Sequence, residues 1–127
     1  QLNKVKKFVK KRNIIADFYK KLFSKNQKIQ FQKIPNNTIS AYHLFVVLLP
    51  KQRDKIFKIL RKRGYFVQLH YIPIYRHYYY KKKYKYKNSD FPNTEKYFKN
   101  AISLPIYPNL NLSEVKKLVN YILKFYE

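Results

Sequence analysis

The chain has 127 residues, with 29 Lys or Arg against 6 Asp or Glu and no cysteine, which allows one domain with a single modest core and excludes both a disulfide framework and a thiolate metal site. The longest apolar run, Leu44 to Pro50, is too short to span a bilayer, and no basic-then-apolar segment opens the chain, so a soluble, cytoplasmic protein without membrane partners is expected. The formal charge of +23 attracts phosphate, but only five of the cations are arginine, and the abundance of Lys, Asn, Ile, Tyr and Phe is the skew that AT-rich coding imposes, so nucleic acid is not an expected partner.

Leu2, Val5, Phe8, Arg12, Ile15, Tyr19 and Leu22 recur at helical spacing and predict a first helix over residues 3–23. No start signal precedes it and Gln1 stands where a methionine would, so the chain is expected to be part of a longer polypeptide. Residues 24–39 read as a loop with one short strand at Ile29 to Phe31. Ala41 to Leu49 is rich in aromatic and β-branched residues and predicts the central strand, in which His43 is a core or interface histidine. A second helix over residues 52–63 buries Ile56, Phe57 and Leu60 and closes at Gly64, the only glycine, which is expected at positive φ.

Alternation of Phe66, Gln68 and His70 against Val67, Leu69 and Tyr71 predicts a further strand over residues 65–71, stopped before Pro73. Residues 73–90 are aromatic and lysine-rich, and within them the run from Tyr78 to Lys83 reads as a mobile loop whose tyrosines pack over the domain edge. Tyr78-Tyr79-Tyr80 followed by three lysines could also stack bases, but its spacing does not repeat as a stacking platform does. Asp90 is expected to cap a third helix with Pro92 in its first turn and Tyr97, Phe98 and Ala101 on its buried side. A short strand at Ile102 to Leu104 ends at Pro105. Asn111 and Glu114 have capping-box spacing before a last helix carrying Val115, Leu118, Val119, Ile122 and Leu123. These elements predict an α+β two-layer sandwich of three or four mainly antiparallel strands with helices packed on the sheet.

No nucleophile constellation, phosphate-cradling glycine loop or metal-ligand spacing is present, so no catalytic and no metal-binding residue is assigned. His70 stands out, since it ends a predicted strand beside Tyr71, Tyr75 and Arg76; a functional role and a structural hydrogen bond remain open.

Five pieces then fall in a recognisable order: QLNKVKKFVKKRNIIADFYKKLF; SAYHLFVVLL; the Gly64 turn into VQLHYIPIY; FPNTEKYFKNAISLPIYPNL; and NLSEVKKLV. In that order the chain resembles, along essentially its whole length, the C-terminal small domain of the PLP-dependent, fold-type-I nucleotide-sugar aminotransferases of the DegT family. The HYIP form of the third piece is most similar to the branch that aminates UDP-linked 4-keto-6-deoxy sugars on the way to pseudaminic acid. His77-Tyr78 departs from the pattern, since many members place a proline after a polar residue there.

The resemblance implies that residues 1–127 form the small domain of a homodimeric transaminase using an amino-acid donor such as glutamate. The Schiff-base lysine and the remaining PLP ligands would then lie in a large domain upstream, so this chain binds no cofactor and is inactive alone. It further implies that His70, Tyr71 and Tyr75 line the sugar side of a nucleotide-sugar cleft, with Arg76 toward the phosphates. The rival reading is a free-standing basic module for nucleic acid or another polyanion.

Overall fold

Side chains at helical spacing in the first and last fifths of the chain pack against each other across a small sheet in the computed structural model, which describes residues 2–127. A 3₁₀ turn at Leu2–Lys4 leads into α1 (Val5–Phe23), followed by β1 (Gln30–Phe31), β2 (Phe45–Leu48) and α2 (Arg53–Lys62). After a 3₁₀ turn at Ile74–Arg76 come α3 (Tyr78–Tyr84), a further 3₁₀ turn at Asn88–Asp90, α4 (Pro92–Asn100), β3 (Ala101–Leu104) and α5 (Leu112–Leu123).

The sheet has the order β1-β2-β3 and is antiparallel throughout, with Phe45 opposite Leu104 and Val47 opposite Ile102. Alternation turns Phe45, Val47, Ile102 and Leu104 to one face, where Tyr19 and Phe23 of α1, Ile56 and Leu60 of α2, and Leu118 and Ile122 of α5 enclose them. Tyr19 is fully buried, stacks on Phe45 at 4.8 Å between ring centroids and donates a 2.9 Å hydrogen bond to the Pro105 carbonyl. The architecture is thus a small α+β sandwich of three antiparallel strands with its principal core on one face and α4 against the other.

Gly64 has φ +83°, and its amide donates to the Arg61 carbonyl at the end of α2. The glycine therefore makes the left-handed turn that a helix C-terminus requires. Ile56 and Leu60 are buried as expected, while Phe57 is half-buried at the core's edge.

The central strand starts later than expected, at Phe45. Side chains of α1 take the preceding carbonyls: Arg12 Nε donates to Ala41 O at 2.7 Å and Asn13 Nδ2 to Ser40 O at 2.9 Å. Tyr42 sits at φ +41° with its ring buried, and His43 is exposed rather than in the core.

The strand expected over residues 65–71 reduces to one bridge, in which Gln68 and Ser103 exchange both backbone hydrogen bonds at 3.1 and 2.9 Å. Extending that antiparallel register one pair would set Phe66 against Pro105, which has no N–H to donate. Toward the other end the chain must leave the sheet to reach Pro73. Val67 alone of the alternating apolar set is fully buried; Tyr71 is 73% exposed.

Residues 78–84, expected in a loop, form α3, whose C-cap Lys85 adopts φ 55°. Stacked pairs Tyr80–Tyr84 and Tyr84–Tyr86, followed by an edge contact of Tyr86 on Phe91, tie this exposed helix to the start of α4. Asp90 does not cap α4. Its Oδ2 accepts from the Lys87 amide at 2.9 Å, closing the preceding turn, and Phe91 holds the N-cap position. Tyr97 is exposed and Ala101 opens β3, so the buried members of α4 are Glu95 and, in part, Phe98. Asn111 caps α5 by accepting from the Ser113 amide at 2.9 Å, whereas Glu114 turns away from the reciprocal box contact to pair with Lys117.

Candidate functional site

The sheet's second face carries Val46 and Leu48 from β2 and Ala101 and Ser103 from β3. Ser103 is buried, and its hydroxyl lies 2.8 Å from His70 Nδ1. The Gln68–Ser103 bridge places His70 there, because it pins the backbone two residues before the imidazole. His70 Nε2 has no hydrogen-bond partner among the described residues. In either tautomer that atom is left to donate to, or accept from, a polar ligand.

The Tyr71 ring meets His70 edge to face, with centroids 4.7 Å apart, across a cis peptide. Both border an open cleft of about 460 Å³ whose other walls are Gln32, the Ser40–Leu44 stretch, Val46 and Tyr97. An exposed phenol, an anchored imidazole and a second tyrosine at one opening suit a hydroxyl-rich ligand, which needs hydrogen bonds at its rim and aromatic surface beneath.

Tyr75 and Arg76 are in a different place. Tyr75 is buried, stacks on Phe91 at 4.2 Å, and its hydroxyl donates a 2.6 Å hydrogen bond to Glu95 Oε1. Arg76 grips the same carboxylate with both arms of its fork, Nε to Oε1 at 2.8 Å and Nη2 to Oε2. Hydrogen bonds from Arg76, then from Tyr75, hold the Glu95 carboxyl below its usual range. Burial, then the Glu95 contact, raises the Tyr75 phenol above its own.

The four residues expected to share one cleft thus divide between two: His70 and Tyr71 border the first, while Tyr75 and Arg76, bound to Glu95, border another of about 500 Å³ with Lys81, Tyr86, Lys87 and Asn88. Glu95 and Ser103 carried no signal that was read from the sequence, and Tyr97, expected on the buried side of its helix, instead borders the cleft. One signal for Glu95 was available, since it is one of only six acids in a chain crowded with lysine. No spacing rule connects it to an arginine 19 residues earlier.

The profile of the DegT/DnrJ/EryC1/StrS aminotransferase family matches residues 1–123. The chain belongs to that family. A UDP-4-amino-4,6-dideoxy-N-acetyl-beta-L-altrosamine transaminase of Campylobacter jejuni is 35% identical over 91% of this chain and 31% of its own length. An uncharacterized protein of Methanocaldococcus jannaschii is 33% identical over 98% of this chain and 33% of its own. Among solved structures, Helicobacter pylori PseC, an aminotransferase involved in the biosynthesis of pseudoaminic acid, superimposes with a TM-score of 0.86 at 29% identity, covering 98% of this chain and 34% of that one. This member therefore spans about a third of the length of the relatives it matches.

The family's cofactor is PLP, which is held through a lysine. A Schiff-base lysine needs an enclosed position to be activated. Here none of the 24 lysines is buried. The one buried carboxylate, Glu95, is already bound by Arg76 and Tyr75. Nor does any group of three His, Asp or Glu side chains among the described residues suit a metal ion. No helix among them is long and apolar enough to cross a membrane.

Proposed function

We propose that residues 1–127 are the C-terminal small domain of a PLP-dependent transaminase that moves an amino group from an amino-acid donor to a nucleotide-linked 4-keto-6-deoxy sugar, in the assembly of surface polysaccharide or nonulosonic acid. The complete protein is a cytoplasmic homodimer in this reading. The cofactor and its lysine belong to the two-thirds of the relatives' length that this chain does not span, so the chain alone is inactive. The observation that carries the substrate class is the pairing of His70 and Tyr71 at an open cleft, within a segment that aligns with the altrosamine transaminase.

In this reading His70 Nε2 and the Tyr71 hydroxyl bind the sugar. Tyr75 acts from beneath, where its bond to Glu95 fixes the path of residues 71–76, and Arg76 directs its remaining guanidinium edge toward the phosphates.

The test is His70→Ala in the complete transaminase. A sugar contact acts on substrate and transition-state binding, so kcat/KM for the nucleotide sugar should fall while cofactor loading stays unchanged. Ser103→Ala serves as the companion, since it removes the ring's anchor and leaves the ring. It should lower kcat/KM less than His70→Ala does. Full turnover per folded molecule with reduced melting temperature in His70→Ala would show that the imidazole only supports the fold.

A further inference from the structure

A further and larger cleft, of about 850 Å³, is lined by the Arg76–Glu95 pair together with residues of the β2–α2 junction, the Asn88–Asp90 turn and α4. Five basic side chains line it against two acidic ones. Both acids are already neutralised, Asp54 by Arg53 at 3.0 Å and Glu95 by Arg76. The Arg53 guanidinium is spent as well, because it is buried and also donates to the carbonyls of Phe98 at 2.8 Å and Lys99 at 3.1 Å, the last turn of α4.

The cations left over are Lys51, Lys96 and Lys99, none of which has a carboxylate within ion-pair distance among the described residues. Arg76 adds a guanidinium whose side chain is still 29% exposed, and Asn88 and Ser89 supply neutral donors in the lining. Like charges drawn into one concavity repel one another, and a low-dielectric wall focuses their field. An anion with several acceptor oxygens relieves that repulsion and can meet three lysines at once.

We propose that this cleft binds a diphosphate-class anion, held by Lys51, Lys96 and Lys99 with Arg76, Asn88 and Ser89 at its edge. The part given to Arg76 rests on the phosphate role proposed for it above; the contacts of Lys51, Lys96 and Lys99 rest on the cleft alone, and titration of the chain tests them apart from turnover of the complete transaminase.

The experiment titrates the chain with inorganic pyrophosphate near physiological ionic strength, following backbone amides by NMR. Saturable one-to-one binding centred on residues 51, 88–89 and 96–99 is expected. Lys96→Gln combined with Lys99→Gln should weaken it by at least about tenfold, since the loss of even one charge-assisted contact amounts to that. Lys6→Gln combined with Lys116→Gln removes the same charge from α1 and α5, away from the cleft, and should leave affinity within about twofold once long-range attraction is screened. All four lysines are exposed, so the variants should keep the wild-type circular dichroism.

Titration with UDP identifies the source. Tighter binding than pyrophosphate assigns the site to a nucleotide's diphosphate, and equal binding assigns it to the free anion. Equal losses in the two double variants would reduce the effect to net charge and overturn the proposal. Tighter binding of duplex DNA through the same lysines would overturn it in favour of a polyanion surface.

Discussion

Tyr75 and Glu95, 20 residues apart in the chain, are joined by a 2.6 Å hydrogen bond in a buried setting, and Arg76 binds the same carboxylate. This contact fastens the excursion that leaves the sheet after His70 to the helix that returns to it. Phe98 of α4 completes the arrangement, with the guanidinium of Arg76 4.9 Å and that of Arg53 5.3 Å from its ring centroid. The shape of the second sheet face therefore depends on one acid.

Glu95→Gln should lower the melting temperature at neutral pH, with a pH dependence of defined sign. The folded-state carboxyl is held below its ordinary value, so ionisation favours the folded state. That stabilisation is complete above the ordinary carboxylate range and is lost as pH falls through the depressed folded value. Thermal melts of wild type and variant should accordingly converge on acidification. A constant gap across the acid range would show that the charge of Glu95 is not what holds the loop.

Gly64→Ala should cost about 1 kcal/mol, from the left-handed backbone alone. A Cβ built at Gly64 meets nothing within 4 Å, so packing adds no further penalty at φ +83°. Urea unfolding measures the difference. Gly64→Asn should recover part of the loss, because asparagine tolerates this region better.

Tyr19→Phe tests the buried join between α1 and the end of β3. Removing the hydroxyl leaves the Pro105 carbonyl without its donor, at a cost of about 1–3 kcal/mol. Burial also pushes the Tyr19 phenol well above the usual tyrosine value, so its titration should be missing from an ultraviolet pH scan that records the exposed tyrosines.

Mixing the chain with PLP should give only slow, non-saturating absorbance changes, since no lysine is buried. A one-to-one adduct discharged by glutamate would place the cofactor chemistry inside these residues and overturn the division of labour proposed above.

Local chemistry determined much of this protein. Period-3.6 patterning marked α1, α2 and α5; the glycine after Arg61-Lys62-Arg63 marked a left-handed turn; and Asn111 marked a helix start, since each depends on residues within a few positions of one another. The order of five such pieces also carried the family resemblance. What only the tertiary structure decided involves partners far apart in the chain. Pro105 denies the 65–71 segment a ladder, Arg12 and Asn13 take the carbonyls ahead of β2, and Glu95 draws Tyr75 and Arg76 inward while Ser103 leaves His70 at an open cleft. A hydrogen bond of a few ångströms between residues 20 to 33 positions apart leaves no periodic trace in the sequence. Which tyrosine binds Glu95 and which borders the His70 cleft follows only when the chain closes those distances.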